Sequence, residues 1–162
     1  MKHYIFDLDD TLYINPKDIK KMYNVYPDNN LANLLNNCPH KKYIYTNATY
    51  DHANIIINKL NINNHFNKIY SRDTIPSMKP MIQSARDVEN NIIFYEKETN
   101  FNKNNEFVFF DDLLPNLKTA KIKGWKTIWI SPFYNHKNNY NYLDYSFPNI
   151  NIALEFCNQN DI

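Results

Sequence analysis

His3-Tyr4-Ile5-Phe6-Asp7-Leu8-Asp9-Asp10-Thr11-Leu12-Tyr13 decides how the rest of the chain is read. Its first half is a short apolar and aromatic run bounded by polar residues, the pattern of a buried strand. Asp7 then falls at the strand's carboxyl end, and in open α/β sheets that edge is where ligands bind. Asp7, Asp9 and Asp10 crowd negative charge into one turn. At an effective dielectric near 20, two unit charges about 4 Å apart repel by roughly 4 kcal/mol. Such a turn invites a cation or a proton. Taken alone, Asp-x-Asp also fits an inert, solvated acidic turn.

Composition sets the outer bounds. A chain of 162 residues with 43% hydrophobic and 15% aromatic content is expected to form a single domain over residues 1–162, with a real core. A net charge of +1 argues for neither a nucleic-acid-binding nor a membrane-surface protein. No run approaches the roughly eighteen apolar residues of a membrane span, and the early aspartates leave no room for a signal peptide. Cys38 and Cys157 lack metal-type pairing, which fits a reducing compartment. A soluble, cytoplasmic protein is expected. Gly124 is the only glycine while asparagine abounds. Asn29-Asn30, Asn63-Asn64 and Asn138-Asn139 are therefore expected to take left-handed turn positions.

Periodicity and punctuation predict strands alternating with helices. After the opening strand, further strands are expected at residues 42–46, 68–71, 106–110 and 125–130, with a short last one at 145–147. Helices are expected around residues 31–35, at 51–60, at 114–123 with Gly124 as the stop, and at 149–158. Another is expected to have Pro80 in its first turn and to run to about Lys97, before a polar loop from Asn100 to Asn105. The pattern implies an α/β fold: a Rossmann-like three-layer sandwich with a mainly parallel sheet of about five strands.

Three of these strands end in polar residues: Asp7, Thr46-Asn47 and Asp111-Asp112. Parallel strands share one carboxyl edge, so these groups converge although they are distant in sequence. The aspartates are hard oxygen ligands suited to Mg²⁺. The Thr46 hydroxyl and neighbouring amides suit phosphate oxygens, and Lys79 supplies a point charge. As a bare repelling pair, Asp111 and Asp112 are expected to be removable together without loss of metal-free stability. Asn116 serves equally as a first-turn helix residue or a site-orienting one. His52 and His65 have no partner spacing and read as surface residues. Lys118, Lys121, Lys123 and Lys126 read as a solvated helix face rather than a basic patch.

With these residues in hand, the chain resembles the haloacid dehalogenase-like phosphatases. Asp7-Leu8-Asp9-Asp10-Thr11-Leu12 is similar to the family's first motif, with Asp10 where many members carry glycine. Tyr43-Ile44-Tyr45-Thr46-Asn47 is similar to the second, Lys79-Pro80 to the third and Phe109-Phe110-Asp111-Asp112 to the fourth. The order runs from residue 3 to about 130, and the details look closest to the pyrimidine 5′-nucleotidase-like branch. The resemblance implies Asp7 as nucleophile forming an aspartyl-phosphate and Asp9 as general acid and base. It implies Lys79, Thr46 and Asn47 on the phosphate. Mg²⁺ would be held by Asp7, the Asp9 backbone carbonyl and Asp112, with Asp111 direct or through water. Asp10 is left to a turn hydrogen bond.

Many relatives insert a sizeable helical cap after the first motif. Here only Ile14 to His40 is free for one, part of it spent on a crossover helix, so a minimal or absent cap is expected. The function read from all this is a Mg²⁺-dependent phosphatase acting on a phosphorylated small molecule, with nucleotides among the candidates. An open site leaves an alternative, an end-processing phosphatase on nucleic acid or a phosphoprotein phosphatase; a non-catalytic phosphate-binding module on the same scaffold is a further one, against which the intact nucleophile, acid/base, lysine and metal positions argue. No membrane partner is expected, and an oligomer that supplies a lid stays open.

Overall fold

The computed structural model describes residues 1–96 and 105–162. Among them, β1 (Lys2–Phe6), β2 (Lys41–Tyr45), β3 (Lys68–Tyr70), β4 (Glu106–Asp111), β5 (Lys126–Ile130) and β6 (Tyr145–Phe147) form one sheet. Its order is β3-β2-β1-β4-β5-β6, and every pairing is parallel. Five helices cover it: α1 (Asn29–Asn37), α2 (Tyr50–Lys59), α3 (Ile82–Glu96), α4 (Leu114–Ile122) and α5 (Ile150–Asn160).

Alternation along the strands sorts the core into two halves. Tyr4 and Phe6 of β1, Ile44 of β2, and Val108 and Phe110 of β4 pack with residues of α1, α2 and α5. Ile5, Tyr43, Tyr45, Phe107 and Phe109 take the other face with α3 and α4. The result is a three-layer, Rossmann-like sandwich. Its central strands are apolar on both faces, as parallel strands under helices must be.

The ends of the helices follow local chemistry. The side chains of Asp28, Thr49 and Asn149 accept hydrogen bonds from the backbone N–H of Leu31, His52 and Ile152, capping α1, α2 and α5. Gly124 stands just past α4 at φ +83°, a backbone conformation that a side chain would strain.

The mainly parallel sheet expected from the sequence is there, and the short last strand expected at 145–147 is β6, three residues long and pairing Ile128 with Tyr145. Other expectations need correction. Pro80 lies in a turn ahead of α3 instead of in its first turn. The asparagine pairs do not hold the left-handed positions. Asn29-Asn30 opens α1, and Asn63-Asn64 and Asn138-Asn139 lie in 3-10 turns, while Asp10, Asn61 and Asp161 take positive φ. The predicted stretch around Lys97 and most of the Asn100–Asn105 loop lie outside the described residues. No helix among the described residues is long and apolar enough to cross a membrane.

Candidate active site

Strand phase brings the acidic residues together. Asp7 follows β1, and its N–H donates to the Phe110 carbonyl at 2.9 Å, extending the β1–β4 ladder by one bond. The Phe6–Phe110 register puts Asp7 beside Asp111, both in the phase that faces α3 and α4. Lys79, in the turn before α3, reaches into the same space. Its Nζ lies 2.6 Å from Asp7 Oδ1 and 2.8 Å from Asp111 Oδ2. It also stands 5.1 Å from the centre of the Tyr45 ring and 5.4 Å from that of Phe109. The amine is almost wholly out of water, with 3% of the side chain exposed.

The backbone that carries Lys79 is clamped from β2's end. The Asn47 side chain donates to the Lys79 carbonyl at 3.0 Å and accepts from the Lys79 N–H at 2.9 Å. Asn47, expected on the phosphate, thus spends its side-chain amide on placing the lysine. Its backbone N–H and the second hydrogen of that amide are left for an anion. Thr46 is buried, and its hydroxyl oxygen accepts from the Ala48 N–H at 3.0 Å.

Asp111 is fully engaged. Oδ1 accepts from the Leu113 N–H at 2.8 Å and from Asn116 Nδ2 at 3.1 Å. Oδ2 accepts from Lys79 and, at 3.0 Å, again from Asn116. Four bonds use the four lone pairs of a carboxylate. Asn116 is therefore both things the sequence left open: it lies in the first turn of α4 and orients the aspartate.

Asp7, Asp111 and Asp112 each offer an oxygen, and these atoms all lie within 4.8 Å of one another. The Asp9 carboxylate is not part of that group. Burial pushes Asp7 up to about 7; Asp111 and Asp112 add to the rise, and the lysine opposes it. Asp112 is pushed up to about 6, first by burial and then by Asp111. Lys79 goes the other way from a solitary buried amine. Burial alone would lower it, but Asp111 and Asp7 outweigh burial and hold the proton on.

Three contacts had no clear signal in the sequence. Thr11 Oγ1 donates to Asp7 Oδ2 at 3.0 Å and lies 3.5 Å from Asp112 Oδ1, bracing the aspartate on the side away from the lysine. Tyr13 and His52 both meet Asp9. His52 is no surface residue: only 12% of its side chain is exposed. His65 is half-buried, with burial lowering its pKa. Asp10 uses its side chain as a turn device, accepting from the Asn15 N–H at 2.9 Å. The four lysines form neither a patch nor a uniform solvated face, since Lys121 pairs with Asp144 and Lys123 with Glu89.

Residues 14–28 cross the carboxyl edge between Tyr13 and α1 with one 3-10 turn, Ile19–Lys21. Beneath them a cleft of about 530 Å³ runs past Thr11, Tyr26, Ser131 and Asn149. It does not include Asp7 or Lys79.

No protein-family model matches the chain, and no curated protein matches it either. Solved structures do. A haloacid dehalogenase-like family hydrolase of Streptococcus pneumoniae superposes with a TM-score of 0.65 at 14% identity, over 95% of this chain and 96% of that one. A HAD-superfamily hydrolase of Ehrlichia chaffeensis does so at 0.64 and 16%, over 99% and 97%. The L-2-haloacid dehalogenase of Xanthobacter autotrophicus gives 0.59 at 17%, over 84% of this chain, which spans only 63% of the dehalogenase's length. At these identities the likeness establishes the fold, which is the haloacid dehalogenase-like core.

Proposed function

We propose that the protein is a divalent-metal-dependent phosphatase of the haloacid dehalogenase-like superfamily, cleaving a phosphomonoester through an aspartyl-phosphate on Asp7. One observation carries this reading. Asp7 sits at the carboxyl end of a central strand, gripped at Oδ1 by Lys79 and at Oδ2 by Thr11.

The donor set suits a hard cation. Asp7, Asp111 and Asp112 offer oxygens within 4.8 Å of one another, and two of them hold protons unusually tightly while no cation is present. Mg²⁺ would be held by Asp7, Asp112 and the Asp9 backbone carbonyl. Asp111 would reach it directly or through water by releasing one of the two contacts it makes to Asn116. Bound there, the ion neutralises the carboxylates and lets an anionic nucleophile meet an anionic substrate.

The side chains then divide the work. An oxygen of Asp7 bonds to phosphorus as the phosphorus–ester bond breaks, and Asp9 gives its proton to the departing oxygen. Water then bonds to phosphorus, Asp9 takes the water's proton, and the bond to Asp7 breaks to release inorganic phosphate. Lys79 keeps a positive charge beside the nucleophile, while the Thr46 hydroxyl and the Asn47 N–H are assigned to phosphate oxygens.

Residues 14–28 serve in this reading as a minimal cap, and residues 1–162 as one catalytic unit in a cytoplasmic setting. Phosphorylated small molecules, nucleotides among them, are the favoured substrates. The slightness of that segment also supports a second reading, in which the end of a polymer or a phosphoprotein enters.

The test is hydrolysis of an aryl phosphate with Mg²⁺ and after exhaustive chelation. Mg²⁺-dependent phosphate release is expected. Undiminished activity without metal, or halide release from a 2-haloacid with no phosphatase activity, would overturn the proposal.

A further inference from the structure

Asp9 is held by one oxygen only. The Tyr13 hydroxyl donates to Oδ1 at 2.6 Å, and His52 Nε2 lies 3.0 Å from the same atom. With its hydrogen on Nε2, the imidazole donates to the same atom as the hydroxyl. Burial, together with Asp9 itself, raises the Tyr13 pKa and keeps that hydroxyl a donor. Both contacts fall on Oδ1, which leaves Oδ2 outside the clasp.

The two donors come from different places. Tyr13 is four residues after Asp9 and bridges back to it. His52 stands 43 residues after Asp9, in the first turn of α2, where the Thr49 cap receives its N–H. The Tyr23 ring, from the segment that crosses the edge, lies 5.7 Å from the imidazole. Asp9 is thus held from its own turn and from α2, with Tyr23 against the imidazole, more support than a solvated acidic turn requires.

We propose that His52 and Tyr13 are positioning residues for Asp9: they pin Oδ1, so that Oδ2 is the oxygen that handles the proton. This rests on the phosphatase reading above, in which Asp9 serves as acid and then base. A proton placed on Oδ1 would confront two donors already aimed at that atom. Oδ2 meets no such conflict. The clasp also stops the carboxylate from turning about its terminal bond, a loosely constrained torsion in a free aspartate.

The consequence is selective. A misdirected acid or base slows the steps in which it moves a proton and spares the others. Loss of His52 should therefore weigh on substrates with poor leaving groups and on breakdown of the aspartyl-phosphate, with substrate binding little changed.

The experiment compares wild type with His52→Ala, His52→Gln and Tyr13→Phe on 4-nitrophenyl phosphate and methyl phosphate. Rapid quench separates formation of the phosphoenzyme from its breakdown. For His52→Ala, kcat on methyl phosphate and the breakdown rate should fall by about 10²-fold, the usual penalty for a catalytic group about 1 Å out of place. Formation from 4-nitrophenyl phosphate should stay within about threefold, and the substrate concentration that half-saturates single-turnover formation should hold on both substrates, since the misplaced group touches neither binding nor the easy leaving group. His52→Gln retains an N–H at the same reach and should recover most of the loss, while Tyr13→Phe should show the same pattern more weakly. Equal losses in the rate of phosphoenzyme formation from the two substrates, no loss at all, or failure of glutamine to rescue a folded protein would overturn the inference and leave the phosphatase reading standing. A wild type that hydrolyses neither substrate would remove both.

Discussion

Lys79 and Asp111 meet at 2.8 Å in a place where neither side chain is more than 3% exposed. The contact is one side of a buried triangle, since the same amine holds Asp7 at 2.6 Å. It makes the two neighbouring aspartates of β4's end unequal. Asp111 is a structural acceptor with four bonds, while Asp112 is a partly exposed carboxylate raised to about 6.

Removing the two should therefore have opposite effects, where the sequence suggested one. Asp111→Ala leaves the Asn116 amide without its acceptor and takes from Lys79 one of its two buried carboxylates, and breaking one partner of a buried ion pair costs about 3–5 kcal/mol. Asp112→Asn relieves repulsion and should leave the metal-free protein at least as stable. Urea unfolding in chelator checks both. Equal destabilisation by the two variants would contradict this division.

A pH effect follows from Asp7 and Asp112. Both bind a proton more tightly in the fold, at about 7 and about 6, than in the unfolded chain, where an aspartate titrates near 3.9. The native state holds more protons between those limits, so stability falls as pH rises through them. Metal-free protein should lose at least about 3 °C of melting temperature between roughly pH 5 and pH 7.5, the change about 1 kcal/mol gives a chain of this size. Asp112→Asn should flatten the slope, and Mg²⁺ should restore stability at the upper end. A metal-free melting temperature that climbs over this range would count against the burial of these carboxylates.

The Asn47 clamp gives a separate expectation. Asn47→Ala leaves the Lys79 N–H and carbonyl without their partners, at about 1–3 kcal/mol for an unsatisfied buried group. Asn47→Asp keeps the acceptor for the Lys79 N–H but turns a carboxylate oxygen on the Lys79 carbonyl, so it should recover only part of the loss. Chemical denaturation of the three proteins tests the order. Wild-type stability in Asn47→Ala would show that the clamp carries no weight.

Much of this was legible in the chain itself. The α/β alternation and the convergence of Asp7 and Asp111-Asp112 follow from apolar runs that end in acid, because parallel strands present their ends on one edge. What escaped depends on contacts that no local pattern encodes. His52 reaches Asp9 only because β2 lies beside β1 and Thr49 starts α2 at the right residue. Residue type placed Asn47 toward the phosphate but could not show that its side chain also clamps the Lys79 backbone. The left-handed positions went to Asp10, Asn61 and Asp161, and which Asp or Asn takes such a position is set by where the chain must turn rather than by residue type.

The central claim is that Asp7 forms the covalent bond to phosphorus, and peptide mass spectrometry of quenched enzyme addresses it most directly. Asp9→Asn incubated with Mg²⁺ and 4-nitrophenyl phosphate should accumulate an added phosphoryl group on the peptide containing Asp7. The good leaving group lets the first step proceed, while the second lacks its base. The label should vanish when Asp7→Asn is added to the same protein. A phosphoryl group on another peptide, or one that persists without the Asp7 carboxylate, would contradict the account.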